Sequence, residues 1–471
     1  MIFPWGGRFL DTFRLHPARI WLIVLFVGGI ILWGNFYSWG DFPIDFHDWA
    51  EVNAPRLAVA QDAVLKGVLP LHSNKTWLLR GITDRYLSIP DTLISPQIIL
   101  LRSLDIPFFF FINHLIYYTI GLAGLIWLNR RIHLSVLSFS LLFVLFNFNG
   151  HIVSHTSIGH TSWGGYYLYP WFAGVVIDFI DGKPGWRWAS RLGAILGFSL
   201  LQGSFHQFTW MVLFLILVWI PQWRKIVPLI KGGIAVVFFA AFRILPPILL
   251  LGQFDDEFKG GYSTPLWILK SLVVDIDPSR AMDHIFPTTS LGWWEFDTYI
   301  GSGGFILIGV GLLAWAVRTY REEKFLILTI AISGMTLLSI SKVYELFRLI
   351  PIPLLSGERV ASRMISVALF FVVMIAAIEF QRVFHDRKTG RVWIAAYVFL
   401  LGVSTYQVIR HMLAWTISRA FPNFPNTPVD LSLLYVANRS DPPYEGLIIT
   451  GIALTISGGL LLTWLVRREK V

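Results

Sequence analysis

The chain has 471 residues, of which 55% are hydrophobic and 14% are charged, and its formal net charge is +9. Together with a mean hydropathy of +0.62, this composition excludes an ordinary soluble domain and indicates a chain embedded in lipid. The absence of cysteine excludes disulfides, thiolate metal sites and cysteine nucleophiles. The basic residues concentrate in short connections between apolar segments, where they report orientation in a membrane and do not indicate a nucleic-acid partner.

Apolar segments of roughly 20 residues recur along the chain and predict transmembrane helices. The first, 20–39, follows Arg8, Arg14 and Arg19 and has no cleavage site behind it, so we expect a retained helix with a cytoplasmic N-terminus. About twelve spans (11 to 13) are predicted, near 20–39, 107–128, 133–148, 163–180, 189–203, 206–221, 226–250, 301–317, 325–341, 364–381, 392–410 and 447–466. The sequence therefore predicts an all-α polytopic membrane protein.

Lysine and arginine recur at alternate connections, which places those connections in the cytoplasm. These basic connections are 130–132, 181–188, 318–324 and 382–391, and the basic pair Arg467-Arg468 follows the last span. Both termini are therefore predicted to be cytoplasmic. The whole chain, 1–471, is expected to form a single transmembrane domain with no soluble domain.

The opposite, outer face carries the long connections and most of the polar chemistry. The loops 40–106, 251–300 and 342–363 are expected to hold interfacial helices and to converge on one polar cavity, because polar loops beside lipid need mutual burial or water. Within the first loop, 93–104 is too short to span and predicts a half-buried or re-entrant helix, or a thirteenth crossing. The link 202–207 predicts a tight outer hairpin.

Four carboxylates follow the first span, and three of them are candidates for the catalytic group. Asp45 is the first choice, because Asp41 directly follows the span and Asp48 forms a capping-box pattern with Glu51 ahead of the amphipathic stretch 49–66. The alternative for Asp45 is that it caps this helix one turn earlier. Asp41 and Asp48 stand behind Asp45 as catalytic candidates.

The order of span, carboxylates, interfacial helix and turn resembles the first outer loop of GT-C-fold glycosyltransferases, in particular the bacterial YfhO-type membrane proteins. Four later segments resemble family segments in the same order along most of the chain. They are Ser95-Pro96, Gly159-His160 with Tyr169-Pro170-Trp171, Trp294 to Gly301, and Pro353 to Arg363.

The resemblance implies a GT-C-like helix bundle in a bacterial plasma membrane that moves a sugar from a polyprenyl-phosphate donor to an extracytoplasmic acceptor. An aspartate of the first loop would be the base or a metal-site carboxylate, and arginines would bind the phosphate. The candidate substrate-binding residues are Arg359, Arg363, His160, Glu295, Asp297, Tyr299, Arg102 and His72.

A metal requirement is left open by the sequence. The first loop lacks an Asp-X-Asp or Glu-X-Asp pair, which occurs only later as Glu295-Phe296-Asp297. His151, His155 and His160 are spaced by four and five residues, which is not a strong ligand signature. We therefore predict no metal ligand, while a divalent cation remains an open question.

Two other functions are compatible with the sequence. One is a non-catalytic polytopic subunit with GT-C-like architecture in a larger membrane assembly. Its partners would be other membrane subunits and membrane lipids. The other is a lipid or glycan transporter, which the scarcity of charges within the spans disfavours. Arg243 is such a charge, and it is expected to face a lipid groove or to snorkel to the outer interface.

Overall fold

The computed structural model describes residues 16–182, 184–250, 252–253, 257–281, 291–319, 323–350, 358–385, 390–420 and 429–469. Over these residues the fold is all-α, and the only β pairing consists of isolated bridges such as His72 with Arg85. The predicted fold class, an all-α membrane protein, is confirmed at this level.

Every apolar segment that the sequence marks as a span is helical in the structure. In chain order the α-helices are α1 (His16–Phe36), α2 (Ala54–Lys66), α3 (Ile106–Ile132), α4 (Val136–Phe148), α5 (Gly150–Ser157), α6 (Tyr169–Asp181), α7 (Trp186–Leu201), α8 (Phe205–Trp219), α9 (Ile226–Ile244), α10 (Pro265–Ser271), α11 (Gly301–Thr319), α12 (Glu323–Leu338), α13 (Ser341–Arg348), α14 (Ile365–His385), α15 (Arg391–Ala414), α16 (Ile417–Ala420) and α17 (Pro442–Arg468).

Seven helical stretches among the described residues are long and apolar enough to cross a membrane. They are Ala18–Phe36, Ile106–Ile132, Val136–Ser157, Phe205–Ile244, Ala361–Phe384, Arg391–Ala414 and Pro442–Arg468. The stretch Phe205–Ile244 has 40 residues, about twice what a bilayer core requires. It bends at Gln222, whose φ of −115° and ψ of 34° lie outside the helical range, so α8 and α9 are separate helices.

Small residues allow several of these helices to pack with their backbones close together. On α7, Gly193 lies against the backbone of Ala235 and Gly197 lies against Phe239, both on α9. On α17, Gly451 approaches the backbone of Phe242, which is also on α9. A side chain at either α7 position would push these helices apart.

Contacts between distant segments bring the long connections together at one end of the bundle, which we call the site end. Asp48 pairs with His160, and Arg363 pairs with Glu295. The tight link predicted at 202–207 is present, since α7 ends at Leu201 and α8 begins at Phe205. It lies at the site end, where His206 pairs with Glu358.

The predicted interfacial helix is present, but its apolar face packs on protein. A π-helical turn, Trp49–Asn53, leads into α2. Leu57 and Val59 are buried, and the Gln61 side chain donates to the carbonyl oxygens of Leu101 and Leu104 at 3.0 Å each. These acceptors belong to the predicted half-buried segment, which forms a 3-10 helix over Pro96–Arg102.

Arg243 neither faces a lipid groove nor snorkels, so both expectations for it are wrong. Its side chain is 3% exposed and donates to main-chain carbonyl oxygens at the site end. The acceptors are the carbonyl oxygens of Leu87, Ile89, Pro90, Thr92 and Leu200, at 2.9 to 3.3 Å. A buried guanidinium with several carbonyl partners is satisfied inside the protein and gains nothing from reaching water.

Candidate functional site

The candidate site is a buried polar cluster at the site end, to which four separate chain segments contribute. Asp48 comes from the turn before α2, and His160 follows α5. Glu295 lies in a 3-10 turn before α11, and Arg363 lies in one before α14. Side chains from the three loops expected to converge, 40–106, 251–300 and 342–363, therefore meet around one group of residues.

Arg363 and Glu295 form a two-pronged ion pair at the centre of the cluster. The Nε and Nη2 atoms of Arg363 donate to the two carboxylate oxygens at 2.6 and 2.5 Å. The guanidinium also stacks over the Trp163 ring, with Cζ 5.1 Å from the ring centroid. Burial alone would raise the pKa of Glu295, but Arg363 holds it below the ordinary value, so the carboxylate stays ionised.

Asp48 is held by two histidines. Its Oδ2 lies 3.0 Å from His160 Nε2, and its Oδ1 lies 3.4 Å from His47 Nδ1. Burial opposes ionisation of this carboxyl group, yet the contacts with His160 and His47 hold its pKa well below the usual range. The capping box with Glu51 does not form, because the Asp48 side chain makes no capping hydrogen bond to the turn that follows it.

Three histidines and a tryptophan continue the network beneath Asp48. His155 Nδ1 and His160 Nδ1 are 2.7 Å apart, and Trp163 Nε1 donates to His151 Nε2 at 3.0 Å. Burial lowers the pKa of His160, while Asp48 partly offsets this effect. His155 Nε2 is buried and has no hydrogen-bond partner among the described residues.

A second histidine–carboxylate pair flanks Trp163 on its other side. Glu358 Oε2 lies 2.9 Å from His206 Nδ1 and accepts from Trp210 Nε1 at 2.9 Å. Burial raises the pKa of Glu358, but His206 and Arg363 lower it, and the net effect is a value below the ordinary one. This pair could not be predicted from the sequence, because its members are 152 residues apart and no local spacing links them.

Asp297, the second acidic residue of Glu295-Phe296-Asp297, belongs to a neighbouring cluster. This cluster also could not be predicted from the sequence. His411 on α15 bridges two aspartates, with Nδ1 2.8 Å from Asp275 and Nε2 3.0 Å from Asp297. The Tyr299 ring packs against His411 in a tilted arrangement, with ring centroids 4.7 Å apart, and burial raises the pKa of Tyr299 to about 12. Asp297 also accepts from the Tyr299 backbone N–H, which fixes the turn before α11.

The remaining predicted site residues are dispersed. Asp41 and Arg102 are exposed, and Asp45 is half-buried without a hydrogen bond or ion pair to any residue in the described ranges. His72 is buried against Asp441, 3.3 Å away, in a contact between the first loop and the chain before α17. Arg359 is half-buried, and its Nε finds no partner in the part of the chain that the structure describes.

A narrow cavity adjoins the cluster between α3, α5 and the turn Thr161–Leu168. His160 and Trp163 form part of its wall, and Asn113, His114 and Tyr167 continue it into the bundle. Polar groups at this depth are costly unless they bind one another, water or a ligand.

No protein-family model, no curated protein and no solved structure matches the chain.

Proposed function

We propose that this chain is a membrane glycosyltransferase that moves a sugar from a polyprenyl-phosphate donor to an extracytoplasmic acceptor. The observation that carries the proposal is the meeting of Asp48, held by two histidines, with the Arg363–Glu295 pair. Such a site combines a proton acceptor with a cation for phosphate, and these are the two groups that glycosyl transfer from a lipid phosphate requires.

Asp48 is the proposed base, in place of Asp45. As the acceptor hydroxyl attacks the anomeric carbon, its proton passes to the Asp48 carboxylate, and the bond from that carbon to the phosphate oxygen breaks. His160 and His47 keep the carboxylate ionised and oriented. Asp45 lacks any such orienting partner among the described residues, although its catalytic role remains a testable prediction.

Arg363 is the proposed phosphate ligand, and Arg359 is its neighbour. A guanidinium carries five N–H donors, and Glu295 occupies two of those of Arg363, so three remain for other acceptors. The Nε of Arg359 is also free to donate, since none of the described residues accepts from it. The leaving phosphate takes the bonding electron pair, and these cations stabilise the charge.

The proposed topology has twelve spans, both termini in the cytoplasm and the site end outside a bacterial plasma membrane. Basic side chains support it at the end opposite the site. Arg131 and Arg191 bind Asp178 there, and Lys225 donates to carbonyl oxygens of Phe179 and Ile180. The polyprenyl chain would lie in lipid against the helices, with its phosphate at the outer interface.

The test measures the release of free polyprenyl phosphate from a panel of polyprenyl-phosphate hexoses. The assay contains the purified protein in lipid nanodiscs and a cell-envelope extract as the source of acceptors. Wild type should release the lipid phosphate, and Asp48→Asn should lower the rate by roughly 10²–10⁴-fold. Asp41→Asn is the matched control, because Asp41 is an exposed carboxylate of the same loop.

Two outcomes would contradict the proposal. Full activity in Asp48→Asn together with loss in Asp45→Asn would move the base to Asp45. No release by the wild type with any donor would favour the non-catalytic subunit. Mass spectrometry of lipids that co-purify with the protein identifies the donor to add to the panel.

A further inference from the structure

The charges of the site do not balance when its histidines are neutral. Asp48, Glu295 and Glu358 all interact electrostatically with Arg363, and Glu295 forms an ion pair with it. Three carboxylates and one guanidinium leave two negative charges; Asp48 is partly exposed, but Glu295 and Glu358 are buried, where uncompensated charge is costly. A divalent cation would neutralise this excess.

Three side chains within the same cluster have atoms suitable for binding such an ion. His155, His160 and Glu295 are all buried, and each offers one ligand atom within 4.8 Å of the other two. The imidazole rings of His155 and His160 lie nearly parallel, with centroids 4.9 Å apart and an interplanar angle of 24°. Two imidazole nitrogens and a carboxylate oxygen are a common ligand set of transition-metal sites with open positions.

The hydrogen bonds of the two histidines are consistent with metal ligation. Because Asp48 is a carboxylate and can only accept, His160 Nε2 must carry the proton between them. His160 Nδ1 is then unprotonated in the neutral ring and faces His155. In zinc sites a carboxylate commonly accepts a hydrogen bond from the far nitrogen of a ligating histidine, which orients the ring and strengthens the ligand.

The environment of His155 provides a second, independent observation. His155 is fully buried, and its Nε2 has no hydrogen-bond partner among the described residues. If the proton of neutral His155 is on Nδ1, it donates to His160 and the Nε2 lone pair is buried without a donor. If the proton is on Nε2, the Nε2–H is buried without an acceptor. In the second case the unprotonated Nδ1 atoms of His155 and His160 face each other, and one metal ion could bind both lone pairs.

We propose that His155, His160 and Glu295 bind one divalent transition-metal ion of the zinc class, with Asp48 orienting His160. Imidazole ligands favour zinc over magnesium or calcium, which prefer oxygen ligands throughout. Arg363 does not prevent metal binding. Each Glu295 carboxylate oxygen accepts one N–H from the guanidinium and keeps a second lone pair for the ion. The metal site does not depend on the proposed transferase activity.

Zinc content of the purified full-length protein tests this proposal directly. After removal of bound metal with a chelator, the wild type should take up about one Zn²⁺ per chain, measured by inductively coupled plasma mass spectrometry. Zinc-edge X-ray absorption should show two imidazole ligands with Zn–N distances of about 2.0–2.1 Å. Neither measurement requires a substrate, so failure of the transferase assay leaves this test intact.

Variants on one helix separate ligation from general damage to the fold. His155→Gln should lose stoichiometric zinc. His151→Gln is the matched control, since His151 lies one turn earlier on α5 with its Nε2 engaged by Trp163, and it should retain zinc. Asp48→Asn should keep the site but weaken zinc binding roughly 10–100-fold.

The proposal is overturned by any of three results. They are wild-type protein that binds no stoichiometric zinc, an absorption spectrum without imidazole ligands, and His155→Gln that binds zinc as wild type does. In the first case a protonated His47, whose pKa is raised by its contacts with Asp48, would compensate part of the excess of carboxylates.

Discussion

Both carboxylate oxygens of Glu295 accept hydrogen bonds from Arg363, although the two residues are 68 positions apart and almost fully buried. Glu295 is 5% exposed and Arg363 is 13% exposed at the side chain. Buried pairs of this kind cost desolvation free energy when they form, but removal of Glu295 leaves the Arg363 guanidinium without the one carboxylate that accepts its hydrogen bonds among the described residues.

Glu295→Gln is therefore expected to destabilise the folded protein by about 3–5 kcal/mol, the usual cost of breaking a buried pair. Thermal unfolding in detergent, followed by circular dichroism, measures this loss. Arg410→Gln is the control, because Arg410 pairs with Asp275 but is 57% exposed, and an exposed pair contributes roughly 0–1 kcal/mol. Equal stability of Glu295→Gln and wild type would mean that water reaches this pair.

The stability of the protein should depend on pH through His160. Burial lowers the pKa of His160 in the fold, so below its unfolded value of 6.5 the unfolded chain binds a proton that the folded chain does not. Stability should fall as the pH drops below about 6.5, and His160→Gln should remove this part of the loss.

His47 provides the opposite sign in the same experiment. Burial acts to lower the pKa of His47, but contacts with Asp48 raise it to a net value above 6.5. Its contribution is complete below that pH and is lost as the pH rises through the folded pKa, so His47→Gln should remove a stabilisation seen in acid. Unfolding temperatures of the two variants between pH 5 and pH 8 distinguish the effects. A wild type that becomes more stable in acid through His160 would reverse our assignment.

Much of the helical framework could be predicted from the sequence, because a span needs a long apolar run and such runs are local. The predicted segment 364–381 is helical as Ile365–His385, and 392–410 is helical as Arg391–Ala414. The tight link before Phe205 was also predictable, since it leaves almost no residues for a loop. The candidate site could be predicted only in part. Four of its members were already candidates from the sequence, namely Asp48, His160, Glu295 and Arg363.

The partners of these residues could not be predicted, because they come from distant parts of the chain. The spacing of Asp48 and Glu51 matches a capping box, yet the Asp48 side chain binds His160, which is 112 positions away. Arg243 was misread for a similar reason. Its acceptors are main-chain carbonyl oxygens, which no sequence pattern displays, and they lie mostly in the first loop.

Arg243→Leu should release the 87–92 segment of the first loop. The substitution removes a hydrogen-bond donor from five carbonyl oxygens, and a buried carbonyl oxygen left without any donor costs about 1–3 kcal/mol. We expect a lower unfolding temperature and faster proteolysis within this segment. Arg102→Leu, an exposed arginine of the same loop, is the control and should change stability by less than about 0.5 kcal/mol. Unchanged proteolysis of Arg243→Leu would show that other contacts suffice to hold the segment.

Gly150→Ala should disrupt the contact between α5 and the turn before α11. A Cβ atom at Gly150 would overlap the Asp297 carboxylate and the Tyr299 backbone, and neither is free to move because Asp297 also binds His411. Lower thermal stability is expected. Gly402→Ala is the matched control, since a Cβ there meets nothing within 4 Å and alanine favours the helix. If both variants were equally stable, the turn before α11 would have to be adaptable.

The proposed topology can be tested with single cysteines, because the natural chain has none. Gly390→Cys lies within the basic connection 382–391, and a Cβ there meets nothing within 4 Å. Leu433→Cys lies at the site end, where Leu433 is 62% exposed. A membrane-impermeant thiol reagent should label Leu433→Cys in intact cells and Gly390→Cys only after permeabilisation. Strong labelling of Gly390→Cys from outside would reverse the orientation and place the Asp48 site in the cytoplasm, where a donor on the outer leaflet could not reach it.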